Sequence, residues 1–122
     1  MAHILIIEDD EQFRQMLTSM LAADHHRVSQ ASDGAEGLRL VASARPDLVV
    51  TDILMPRMDG IEFVTALKRQ GSNVPVIAMS GGRRSISAEF NLNSAELMGV
   101  TATLSKPFGR EELRRAISQA LG

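Results

Sequence analysis

Short apolar runs alternate along the chain with stretches of helical periodicity. Ile4-Leu5-Ile6-Ile7, Leu48-Val49-Val50 and Val76-Ile77-Ala78-Met79 lack polar alternation and are too short for helices. They predict parallel strands covered on both faces, where no position has to be polar. Val28-Ser29-Gln30-Ala31 and Thr101-Ala102-Thr103-Leu104 are weaker strand candidates, the first toward a sheet edge. Between the strands, Phe13, Met16, Leu17, Met20 and Leu21 recur at helical spacing, as do Leu113, Ala116, Ile117, Ala120 and Leu121. Asp33 and Glu36 have the spacing of a capping box opening a second helix, Pro46 follows that helix, and Gly71 stops a third. A further helix is expected around Ser87 to Met98. The result is an α/β fold of five strand-helix units, a single doubly wound domain over residues 1–122, with right-handed crossovers. The pattern alone leaves strand order open.

Composition narrows the function. The 122 residues are 44% hydrophobic and 23% charged, an ordinary globular balance with material for one core. No cysteine is present, which removes disulfides, thiolate nucleophiles and cysteine metal sites. A net charge of −2 gives no global attraction to nucleic acid, and no apolar stretch approaches membrane-spanning length. A soluble, cytoplasmic protein is expected. His3, His25 and His26 lack ligand spacing, and Arg110, Arg114 and Arg115 on the last helix read as a solvated basic face.

Open α/β sheets bind ligands beyond the carboxyl ends of their strands, and four such ends carry reactive side chains. The first strand runs into Glu8-Asp9-Asp10, the third into Asp52, the fourth into Ser80 and the fifth into Ser105-Lys106-Pro107. Taken singly, each has an ordinary explanation: helix capping for the acids, turn chemistry for Asp52 and Ser80, a solvated charge for Lys106. Together they form a set. Converging carboxylates raise one another's pKa unless a cation neutralises them, and Mg²⁺ suits an oxygen-only site. A carboxylate nucleophile, a hard cation, an ammonium and a hydroxyl are the parts phosphoryl transfer needs.

Ile4-Leu5-Ile6-Ile7-Glu8-Asp9-Asp10, the stretch Asp47 to Gly60 containing Asp52-Ile53-Leu54-Met55-Pro56, the pair Ser80-Gly81 and Leu104-Ser105-Lys106-Pro107-Phe108 resemble the receiver domains of two-component response regulators. The resemblance spans essentially the whole chain. It implies a flavodoxin-like sheet of order 2-1-3-4-5. It also implies Asp52 as phosphoacceptor, Asp9 as the principal metal carboxylate, Glu8 as the second acid, and Leu54 lending its backbone carbonyl to Mg²⁺. Asp10 would open the first helix, Ser80 and Lys106 would bind the phosphoryl group, and the Lys106-Pro107 bond would be cis. The implied donor is a histidine kinase or histidine phosphotransfer protein. The downstream partner, free-standing or fused, is not specified.

Two departures bear on output. The family usually has an aromatic residue three positions before the lysine; here it is Thr103, which cannot carry a ring-rotation signal. The segment after Ser80 is longer than usual and begins Gly81-Gly82-Arg83-Arg84, a basic loop available for switching or partner contact. Leu54 and Gly82 stand at the variable positions that in the resembled family tune loss of the phosphoryl group, and neither side chain can hold an attacking water, so the resemblance implies slow self-dephosphorylation. Two rival functions share parts of this residue set. A haloacid-dehalogenase-like aspartyl-phosphate phosphatase would need a second Asp where Leu54 stands, and a substrate cap. A phosphorylation-independent interaction module fits Thr103 but not the intact acidic site. The leading reading is a switch, not an enzyme.

Overall fold

The computed structural model describes residues 2–53, 60–80 and 99–122. The strands are β1 (His3–Ile7), β2 (Arg27–Ala31), β3 (Leu48–Asp52), β4 (Val76–Ser80) and β5 (Ala102–Ser105). Among the described residues the helices are α1 (Glu11–Ala23), α2 (Gly34–Ala44), α3 (Gly60–Arg69) and α4 (Arg110–Leu121). The sheet is wholly parallel, in the order β2-β1-β3-β4-β5. The helix expected around Ser87 to Met98 falls outside the described residues.

The unbroken apolar strands follow from a core on each face. Successive strand residues point to opposite sides. Ile4 and Ile6 join Leu17, Leu21, Val50, Met79, Leu113 and Ile117 beneath α1 and α4, while Leu5 and Ile7 join Val49, Phe63, Val64 and Leu67 beneath α2 and α3. Helix α2 lies close on the sheet: a Cβ at Gly37 would collide with the Ile7 side chain and come within 3.2 Å of the Phe63 ring.

Local signals set the helix ends. Asp10 caps α1, its side chain accepting a hydrogen bond from the Phe13 N–H at 3.1 Å. Asp33 caps α2 through the Glu36 N–H at 2.9 Å, but the return bond differs from the sequence expectation. Glu36 Oε1 reaches one residue further and accepts from the Ser32 N–H at 2.8 Å and hydroxyl at 3.3 Å, since Ser32 offers two donors at one place. Helix α3 ends with Gly71 at φ 76°, its N–H donating to Lys68 O and the Ser72 N–H donating to Leu67 O.

Candidate functional site

Because all five strands run the same way, their carboxyl ends share one edge, and Glu8, Asp9, Asp52, Ser80 and Lys106 gather there. Glu8 is 0% exposed and Asp52 5%, while Asp9 is half-buried. One carboxylate oxygen from each of the three lies within 4.8 Å of the others. Lys106 Nζ stands 2.7 Å from Glu8 Oε1 and 3.2 Å from Asp52 Oδ2, with its side chain 17% exposed. The Lys106-Pro107 bond is cis.

Backbone hydrogen bonds tie the neighbouring strand ends together. The Ile53 N–H donates to Met79 O at 3.0 Å, and the Lys106 N–H donates to Ser80 O at 2.8 Å. Glu8 Oε2 accepts from the Asp10 N–H at 3.0 Å, so the residue that caps α1 also steadies the buried acid. Ser80 is 1% exposed, and its Oγ has no hydrogen-bond partner among the described residues. A buried hydroxyl without a partner is costly and calls for a ligand or a function.

The electrostatics are those of crowded acids beside the Lys106 ammonium. Burial pushes the Glu8 carboxyl up to about 7, and the Asp52 charge adds to this, against hydrogen bonds from Lys106 and the Asp10 N–H. Burial acts to lower the Lys106 ammonium, but its hydrogen bond to Glu8 and the Asp52 charge outweigh that and raise it. Lys106 therefore stays charged at neutral pH. Three carboxylates this close favour binding of a cation, which offsets their mutual repulsion.

Two contributors to this site were not singled out from sequence. The Phe13 ring lies under the ammonium, with Lys106 Nζ 4.3 Å from its centroid, and meets Phe108 edge-on at 5.8 Å. Arg14 donates through Nη1 to the Glu8 carbonyl at 2.8 Å and through Nε to Gln30 Oε1 at 3.1 Å. The available signal was their position in the first turn of the helix that follows the acids. Arg110 and Arg114 are exposed, as a solvated face requires, and both hold Asp24, at 3.1 and 2.8 Å. Thr103 is half-buried in β5, opposite Ala78 in the register. Leu54, Gly81, Gly82, Arg83 and Arg84 lie outside the described residues.

Fold and acidic edge together define a response-regulator receiver. Residues 4–118 match the response regulator receiver domain family, and the chain belongs to it. It is similar to the response regulator MprA of Mycolicibacterium vanbaalenii, 39% identical over 110 residues, which are 90% of this chain and 46% of that protein. The chain thus spans about half the length of such relatives. Among solved structures it resembles a response regulator receiver domain protein from Clostridium thermocellum, with 29% identity, a TM-score of 0.89, and coverage of 99% of this chain and 94% of that one. It also resembles the chemotaxis protein CheY4 of Vibrio cholerae, with 32% identity, a TM-score of 0.86 and 99% of each chain covered. Among the described residues no helix is long and apolar enough to cross a membrane.

Proposed function

We propose that residues 1–122 act as one receiver that takes a phosphoryl group on Asp52 from a phosphohistidine of a histidine kinase or histidine phosphotransfer protein, and that the phosphorylated form binds its downstream partner differently. One observation carries this reading: Asp52 lies 3.2 Å from the Lys106 ammonium on an edge shared with the buried Ser80 hydroxyl, which has no hydrogen-bond partner among the described residues. In the transfer, an Asp52 carboxylate oxygen forms a bond to phosphorus as the phosphorus–nitrogen bond of the donor breaks. The electron pair of that bond stays on the departing imidazole nitrogen, and the ring takes up a proton from solvent. Lys106 and Ser80 donate hydrogen bonds to the phosphoryl oxygens, where negative charge collects.

The donor set fits Mg²⁺: three carboxylates close enough to share an ion, with oxygen ligands throughout. Glu8, Asp9 and Asp52 would hold it, with the Leu54 carbonyl expected from the family resemblance. When bound, the ion supplies positive charge to the phosphoryl oxygens. The role is that of a switch and not of a turnover enzyme: the new dianion changes output by favouring one of two conformations. Thr103 places that change elsewhere than in a rotating aromatic ring, and the Gly81 to Arg84 segment is the proposed alternative.

Incubation with Mg²⁺ and acetyl phosphate, followed by intact-mass measurement, tests the assignment. Wild type should gain one phosphoryl group and Asp52→Ala none. Equal gain by both proteins, or no gain by wild type with either acetyl phosphate or a competent kinase, would overturn it.

A further inference from the structure

Among the described residues three groups meet the Lys106 ammonium: Glu8 Oε1 at 2.7 Å, Asp52 Oδ2 at 3.2 Å and the face of the Phe13 ring at 4.3 Å. The first two are carboxylates. If Asp52 is the phosphoacceptor and Glu8 faces the metal, both loosen their hold on the ammonium as the site does its work. The aromatic quadrupole is the attraction that the chemistry leaves in place.

The ring is itself well held. Phe13 sits in the first turn of α1, where its N–H donates to the Asp10 cap at 3.1 Å. Its edge contact with Phe108, at an interplanar angle of 89°, joins α1 to the segment that carries Lys106. The two rings therefore fasten the helix and the Lys106-Pro107-Phe108 segment together beside the ammonium. A lysine side chain is a flexible stem ending in a point charge, and such a charge acts on a transition state only if something aims it.

We propose that Phe13 is a positioning residue for phosphoryl transfer, the face of its ring holding the Lys106 ammonium beside Asp52 while Glu8 and Asp52 release it. The role rests on the reading of Asp52 as phosphoacceptor. Phe13 also packs against the core beneath α1 and α4, so truncation alone would confound packing with electrostatics. Fluorination separates them, because it drains the ring face of electron density with little change of shape.

The test compares wild type, the chain with 3,4,5-trifluorophenylalanine at position 13, Phe13→Leu and Phe13→Tyr. The readouts are the rate of Asp52 phosphorylation at saturating acetyl phosphate and Mg²⁺, the half-saturating acetyl phosphate concentration, and the NMR shift of the Lys106 ε-methylene. The trifluoro chain and Phe13→Leu should lose about fivefold in rate, equivalent to about 1 kcal/mol, with half-saturation unchanged, and Phe13→Tyr should stay within about twofold of wild type. The upfield ring-current shift of the Lys106 methylene should persist in the trifluoro chain and vanish in Phe13→Leu. A trifluoro chain phosphorylated at the wild-type rate, or a Lys106 shift unaltered by Phe13→Leu, overturns the positioning role while leaving Asp52 as acceptor. A wild type with no Asp52-dependent phosphorylation overturns the function and this role with it.

Discussion

Lys106 Nζ is 2.7 Å from Glu8 Oε1, yet the Glu8 carboxyl titrates near 7 and not below its ordinary range. Burial and the neighbouring Asp52 charge together outweigh the ion pair. An acid whose pKa rises on folding is charged at a cost. That cost is absent while the folded and unfolded chains both keep the proton, and complete once pH exceeds the folded value.

Metal-free protein should accordingly lose stability as pH climbs from about 4.5 to about 7. The loss attributable to Glu8 is on the order of 3 kcal/mol. Glu8→Gln cannot ionise, so its stability should change far less over the same window. Urea midpoints of the two proteins at pH 5 and pH 8 in chelator would show this, and parallel curves would contradict it.

Magnesium should reverse the loss where Glu8 is charged. At ten times its dissociation constant, an ion bound only by the folded chain adds about 1.4 kcal/mol. Wild type at pH 8 should gain this on addition of Mg²⁺ and lose it again to chelator, while Asp9→Asn should gain little. Equal gains in both proteins would mean the ion binds elsewhere.

Much of this site was legible because strand-end chemistry is local. Ile4 to Ile7 announces a strand buried on both faces, and the acids immediately after it must then lie at the sheet edge. Asp52, Ser80 and Lys106 follow by the same logic. Phe13 was not legible as a partner of Lys106: at helical spacing an aromatic residue reads as core, which it also is, and only the tertiary placement of the Lys106-Pro107-Phe108 segment beside α1 puts an ammonium over its face. Strand order likewise depends on tertiary packing and came from resemblance, not from pattern. Asp24 and Arg114 are 90 residues apart, so nothing in either segment signals the other.

That long-range pair gives a second titration. Arg114 grips Asp24 with two parallel bonds, Nε to Oδ2 at 2.9 Å and Nη2 to Oδ1 at 2.8 Å, and Arg110 adds a third at 3.1 Å. Hydrogen bonding to Arg114 lowers the Asp24 carboxyl to about 2. Its stabilising contribution is therefore present above the ordinary value of 3.8 and lost as pH falls through about 2. Carboxyl NMR should find the wild-type midpoint near 2 and return it toward 3.8 in Arg114→Gln. An unmoved midpoint would show that the fork does not form in solution.

Ser80 offers the clearest separation of stability from chemistry. Its hydroxyl is buried at the acidic edge and has no hydrogen-bond partner among the described residues, so Ser80→Ala removes a polar group without breaking a bond that the fold uses there. The urea midpoint should correspond to a stability change within about 0.5 kcal/mol of wild type. Phosphorylation should respond differently, because a donor aimed at developing charge acts chiefly in the transition state. Ser80→Ala should slow acetyl phosphate-dependent labelling of Asp52 by roughly ten- to a hundredfold, while Ser80→Thr, which keeps the hydroxyl, should retain most of the rate. If Ser80 were only packing, the rate would follow stability and both would stay near wild type. A marked fall in stability for Ser80→Ala would instead show that the hydroxyl has a structural partner, and would remove the argument that it waits for a phosphoryl oxygen.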